Sequence, residues 1–122
     1  MSELRQFIGM QGEEIAKEHL LAKGYTWRES NFRTRGGEID LVMQQGGTLV
    51  FVEVKHRLSN EYGDPEEAIT PTKMKHMTRT ALLYVKSKGI QDKSIRFDVV
   101  TIDGAGIRHY EDAFQVTGNY YY

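Results

Sequence analysis

The chain has no cysteine, two prolines and a single tryptophan. The first absence excludes disulfides and thiolate metal sites, and it fits a reducing compartment. No apolar run approaches the length of a membrane span. The opening stretch "MSELRQFIGMQGEEIAKEHLLAKG" lacks the uninterrupted apolar core of a signal peptide. The expectation is a cytoplasmic protein with no membrane partner. An excess of either charge is also missing: 16 Lys and Arg stand against 17 Asp and Glu, a net charge of -1. There is no global basic field to coat nucleic acid, although an enzyme needs only a local basic path. The four histidines are scattered without H-x-x-x-H spacing, so zinc is not expected. Repeats, low-complexity tracts and linkers are absent, and 122 residues suffice for one domain with its own core. That domain is taken as 1–122, with its core at about 3–114 and a tail at 115–122.

What is present reads as short elements with clear punctuation. Residues 3–23 have helical spacing, with small residues Gly9, Gly12 and Ala16 on the face of Glu13 and Leu20 and with Ile8 and Ile15 alongside. Small residues let a helix lie close to a sheet, and Gly24 is placed to end it. "YTWRESNF" reads as a first strand and "RTRGG" as a basic connection. Strands follow at Glu38 to Met43 and Leu49 to Lys55, then a loop with a helical turn near Pro65. Thr70 is a candidate N-cap before Pro71 for a helix that Gly89 ends. Its expected buried stripe is Met74, Met77, Ala81, Leu82 and Val85. "SIRFDVVTI" is a further strand, and Ile107 to Tyr110 a short last one. The order α-β-β-β-α-β plus one strand predicts an α+β or mixed α/β sheet flanked by helices.

The stretch "GGEIDLVMQQGGTLVFVEVKHR" puts charge into the most hydrophobic strands. With a four-residue loop Gln44 to Gly47, Met43 opposes Thr48, Asp40 opposes Phe51 and Glu38 opposes Glu53. Glu38, Asp40, Val42, Leu49, Phe51, Glu53 and Lys55 then share one face, and Ile39, Leu41, Val50, Val52 and Val54 the other. Asp40 and Glu53 become diagonal neighbours roughly 7–8 Å apart. Charges on strands are more often a solvated face. Here the same face carries Val42, Leu49 and Phe51, and two glutamates oppose each other, which is unfavourable without a cation. Two carboxylates beside a lysine offer hard oxygen ligands for Mg²⁺ or Mn²⁺ and a group to stabilise a phosphoryl transition state. That assembly suits phosphodiester hydrolysis without a nucleophilic serine or cysteine.

"GGEIDLV" with "LVFVEVKHR" resembles the PD-(D/E)XK nuclease signature. "GMQGEEIAKEHLLAKGY", "NFRTRGGEIDLV", "FVEVKHR", "YGDPEEAIT" and "TKMKHMTRTALLYV" together resemble the YraN-type family of small bacterial proteins. The likeness covers about residues 8–114 and implies a restriction-endonuclease-like αβββαβ core, related to archaeal Holliday-junction resolvases. It implies that Asp40 and Glu53 ligate metal, with the Val54 carbonyl contributing, and that Lys55 acts near the attacking water. Glu13 would match an acidic residue that resolvase-like members carry on their first helix. A solvated helical glutamate beside Glu14 is the other reading, of nearly equal weight, and the resemblance tilts the balance to the site. Glu38 is a further ligand, a supporting group or simply family-typical sequence.

Arg33 and Arg35 flank the glycines before the second strand, where they could touch a phosphate backbone. Arg57 continues from the E-x-K segment, and Lys73 follows "EEAIT" where the family pattern has a lysine. The expected function is metal-dependent hydrolysis of DNA, with branched or repair intermediates as candidate substrates. A nucleic-acid-binding module without turnover and a structural adaptor are the alternatives. Cutting both strands of a junction would favour a homodimer.

Overall fold

The computed structural model describes residues 2–57 and 69–115, with side chains from residue 11 onward. The helical turn expected near Pro65 and residues 116–122 of the tail lie outside the described residues.

The elements run α1 (Ser2–Ala22), β1 (Thr26–Thr34), β2 (Gly37–Gln45), β3 (Thr48–His56), α2 (Pro71–Ser87), β4 (Ser94–Asp103) and β5 (Gly106–Phe114). The strands form one mixed sheet in the order β1-β2-β3-β4-β5. Only β3 and β4 pair in parallel, and α2 is the crossover that this pairing requires. Punctuation falls where local chemistry demands. The Thr70 side chain accepts the Lys73 N–H at 3.1 Å, Pro71 occupies the first turn, and Gly24 and Gly89 take positive φ after the helices.

Each face of the sheet carries one helix. Leu41, Met43, Val50, Val52, Val100 and Ile102 pack with Ala16, Leu20 and Tyr25 on the α1 side. Ile39, Val42, Leu49, Phe51, Phe97, Val99 and Phe114 pack with Met77, Ala81 and Tyr84 on the α2 side. Burial on both faces explains why "LVFV" reads as a continuous apolar run rather than an alternating one. The Tyr84 ring meets Phe32 and Phe51 edge-on, and Phe97 stacks on Phe114. The helix stripe differs in part from expectation. Tyr84, Thr78 and Thr80 are buried on α2, Leu82 is half-buried outside the cluster, and Leu83 is exposed. Thr78 and Thr80 can be buried because their hydroxyls donate to the Met74 and His76 carbonyls one turn back.

The β2–β3 connection corrects the expected register. Gln45 pairs Thr48, so the loop is the two residues Gly46 and Gly47, not four. Gly46 has φ of 57°, the left-handed conformation that two-residue hairpins need at their first position. Val42 therefore opposes Phe51 and Leu41 opposes Val52. The register slips by two, which preserves the face of every β3 side chain. It replaces the expected Asp40–Phe51 and Glu38–Glu53 pairs. One further step sets Asp40 opposite Glu53.

Candidate functional site

The regular β2–β3 ladder ends at Leu41–Val52. At the next position the Val54 N–H donates not to a main-chain carbonyl but to the Asp40 side chain, Oδ2 at 2.8 Å. The carboxylate thus takes the place of a ladder acceptor, and the two strands part around it. In an extended strand a residue's N–H and C=O point to the same edge, so the Val54 carbonyl faces this gap too. On the other edge of β2, pairing with β1 skips Asn31 and Asp40, and Asn31 adopts φ of 55°. The irregularity inverts side-chain alternation. Ile39 joins Val42 in the α2 core, while Leu41 joins Met43 in the α1 core. Strict alternation had put Ile39 with Leu41, and Asp40 with Val42. An aspartate bonding across the strands in the plane of the sheet is what breaks it.

Helix α1 brings the second carboxylate. At Gly12 a Cβ would lie 2.6 Å from the Cβ of His56, so only glycine permits this approach of α1 to the end of β3. The next residue, Glu13, shares with Glu38 and Asp40 a cluster whose nearest carboxylate oxygens all fall within 4.8 Å of one another. The Asn31 side chain hydrogen-bonds Glu13, and Arg33 Nε lies 3.2 Å from Glu38 Oε1. Burial and the charges of Glu38 and Glu53 raise the Glu13 pKa, against the Asn31 bond and the Arg33 charge. Of the two readings of Glu13, the structure places it at the acidic cluster rather than in open solvent.

Glu53 approaches from the α2 side and is 4% exposed. Lys55 Nζ lies 3.4 Å from its Oε1, and Lys73 Nζ, from the first turn of α2, lies 3.2 Å from its Oε2. The Lys73 contact is an ion pair without hydrogen-bond alignment, so Oε2 is buried with no hydrogen-bond partner among the described residues. Asp40 is pushed up to about 7, first by burial, then by the Glu53 charge, with Glu13 and Glu38 adding to it and the Val54 N–H opposing.

A second aspartate shows what the same device looks like when it is only structural. Where β5 bulges at Glu111 to Ala113, the single residue opposite on β4 is Asp98, which accepts the Asp112 N–H at 3.0 Å. Arg96 donates to both oxygens of Asp98 at 2.9 and 2.8 Å, and His109 Nε2 lies 2.7 Å from Oδ2. Burial works against the charge, but these bonds win and hold the Asp98 pKa below its ordinary value. Asp98 carries its own cation; Lys55 and Lys73 end on Glu53, and Arg33 on Glu38. The Asp40 environment disfavours charge, and Glu53 has an oxygen whose lone pairs lack a donor. Both conditions suit a hard divalent cation, for which oxygen donors on Asp40, Glu53, Glu13, Glu38 and the Val54 carbonyl are the appropriate chemistry.

The cations expected at a nucleic-acid backbone divide. Arg33 is 73% exposed on its side chain but paired with Glu38. Arg35 is exposed in the β1–β2 turn. The Arg57 main chain donates to Ile102 at 2.8 Å, and the residue is half-buried at the end of β3. Lys73 reaches Glu53. Asn31 was not foreseen, because nothing in its neighbours announces a left-handed residue within a strand.

The fold defines a mixed α/β protein, one five-stranded mixed sheet with a helix on each face, and comparison with known sequences gives its family. The model of "Uncharacterised protein family UPF0102" matches residues 12–102. Similar proteins include a UPF0102 protein of Syntrophomonas wolfei, 47% identical over 88% of this chain and 96% of its own length. Another, from Geobacter sulfurreducens, is 40% identical over 91% of both chains. A third, from Vibrio vulnificus, is 42% identical over 84% of this chain and 85% of its own. The chain belongs to the UPF0102, or YraN, family.

Proposed function

We propose that this chain is a divalent-cation-dependent phosphodiesterase acting on DNA. The observation that carries the reading is the acidic cluster of Asp40, Glu13 and Glu38 where β2 and β3 part, with Asp40 pushed up to about 7 first by burial and then by the charge of Glu53. Asp40 and Glu53 would hold Mg²⁺ or Mn²⁺, with the Val54 carbonyl and Glu13 or Glu38 completing the oxygen set. A bound ion supplies acidification of water and neutralisation of phosphate charge. Lys55 is half-buried at the edge of this centre, where its ammonium can orient the attacking water or stabilise charge on the phosphoryl oxygens. Lys73, with Nζ 3.2 Å from Glu53 Oε2, balances its charge. Arg33 and Arg35, beside the β1–β2 turn, are placed to position a phosphate backbone. The likeness to Holliday-junction resolvases makes branched DNA the first substrate to try. Among the described residues no helix is long and apolar enough to cross a membrane.

The test is a panel of labelled junction, flap, nicked, duplex and single-stranded DNA with Mg²⁺ or Mn²⁺. Wild-type protein is expected to cut at least one. Asp40→Asn and Glu53→Gln should each lower the rate by more than about a hundredfold, the scale set by losing a metal or transition-state contact. Unchanged hydrolysis in both folded variants would sink the proposal. Binding of branched DNA with no cleavage in either metal would leave a binding module on this fold.

A further inference from the structure

Trp27 is the chain's one tryptophan, and it is 42% exposed on edge strand β1. Two contacts and a strand bulge make it a held ring rather than a loose one. Its Nε1–H donates to Ser30 Oγ at 3.0 Å, which fixes the ring plane. Lys17 of α1 places its ammonium 4.2 Å from the ring centroid. The β1–β2 register shifts between Trp27 and Glu29, so Arg28 is an extra residue. Arg28 donates to Gln44 Oε1 at 2.7 Å and to the Tyr84 hydroxyl at 3.3 Å, on the α2 side. Such a bulge re-aims its neighbours, and here it leaves Trp27 on the α1 layer.

Two routes tie the ring to the acidic centre. Lys17 lies one helical turn after Glu13, on the same strip of α1. Ser30, which holds the indole, precedes Asn31, which holds Glu13. An exposed aromatic face beside a lysine, mounted next to a carboxylate centre, matches a nucleotide in both parts. A base can stack on the ring, and the ammonium can leave it for the adjoining phosphate. A base inside a duplex offers no free face to such a ring.

We propose that Trp27 and Lys17 form a stacking platform for an unpaired nucleotide next to the acidic centre, so that the substrate is DNA with a single-stranded or splayed segment. This rests on the phosphodiesterase reading for its substrate, but its readout is separate. The lone tryptophan is its own reporter. Oligothymidylate titrated into full-length protein, in EDTA and again in Mg²⁺, is expected to quench Trp27 fluorescence to saturation, and a blunt duplex to quench little. With labelled oligothymidylate, Trp27→Phe should keep affinity within about twofold, while Trp27→Ala loses about tenfold. Lys17→Ala should reduce the salt slope by about one. Absence of quenching, equal quenching by blunt duplex, or full affinity in Trp27→Ala overturns the platform. Cleavage on gels without quenching removes this inference alone. Quenching without cleavage in any metal removes the hydrolytic reading and leaves the platform standing.

Discussion

Asp40 and Asp98 occupy the same kind of niche, a strand irregularity where the carboxylate accepts a neighbouring main-chain N–H. Their surroundings give them opposite pH behaviour. Asp40 keeps its proton in the folded protein up to about 7, whereas the unfolded chain releases it near 4. Between those values the folded state binds the extra proton, so this group lets stability fall as pH rises from 4 to 7, with no further change above. Asp98 has its folded pKa lowered. Its contribution is present above about 4 and is lost as acid drives protons onto it. In metal-free protein at pH 7.5, Asp40→Asn should therefore raise stability by on the order of 2 kcal/mol, because the amide oxygen can still take the Val54 N–H while a buried charge is removed. Asp98→Asn should cost about 3 kcal/mol by leaving the Arg96 guanidinium with a poorer partner. Urea unfolding at pH 5 and 7.5 measures both. Destabilisation of equal size in the two variants would show that Asp40 is an ordinary structural residue.

At the scale of elements, much was legible because it is local. Thr70-Pro71, Gly24 and Gly89 mark helix ends through their own backbone chemistry, and the apolar runs locate β2, β3 and β4 to within a few residues. Asp40, Glu53 and Lys55 stood out because they match a known signature, and Glu13 through the family resemblance; the structure brings Glu13 to Asp40 and Lys55 to Glu53. The missed features depend on partners remote in sequence. The Asp40 side chain bonds Val54 across the sheet, and the resulting inversion of alternation cannot be seen by counting residues in twos. The hairpin shortened to two residues because Gly46 and Gly47 alone close it. β5 runs on to Phe114 since its bulge folds around Asp98, which no turn residue announces. Gly12 sits between these classes: small residues on α1 suggested close packing, and the 2.6 Å approach to His56 gives that a size. Gly12→Ala gains up to about 1 kcal/mol of helix propensity but forces overpacking of about 1–3 kcal/mol. The clash should win, by about 1 kcal/mol in thermal unfolding. The larger effect is expected on Glu13, carried outward with the helix, so that cleavage weakens far more than the fold does. A variant with wild-type activity would mean that α1 does not set the position of Glu13.

For the whole molecule, the acidic centre is a place where folding would meet the proposed ion binding. α1, β2 and β3 each deliver carboxylates to it, and α2 delivers the lysine that balances Glu53. Mutual repulsion of these groups acts on the junction of the layers rather than on one element. An ion that binds only the folded arrangement stabilises the entire chain by mass action, about 2.7 kcal/mol at a hundredfold excess over its dissociation constant. For a chain of this size that is a rise in Tm of about 10 °C. The same ion should cancel the loss of stability between pH 5 and 7, because it replaces the proton on Asp40. Thermal unfolding in EDTA and in increasing Mg²⁺ or Mn²⁺ should therefore show the largest shift at pH 7.5 and a smaller one at pH 5. Asp40→Asn should start higher and respond little, while Asp98→Asn should start lower and keep the full response. The two aspartates then separate ion binding from general stability within one experiment. An equal response in both variants would place any bound ion elsewhere, and no response in wild type at either pH would remove the ion from the centre altogether.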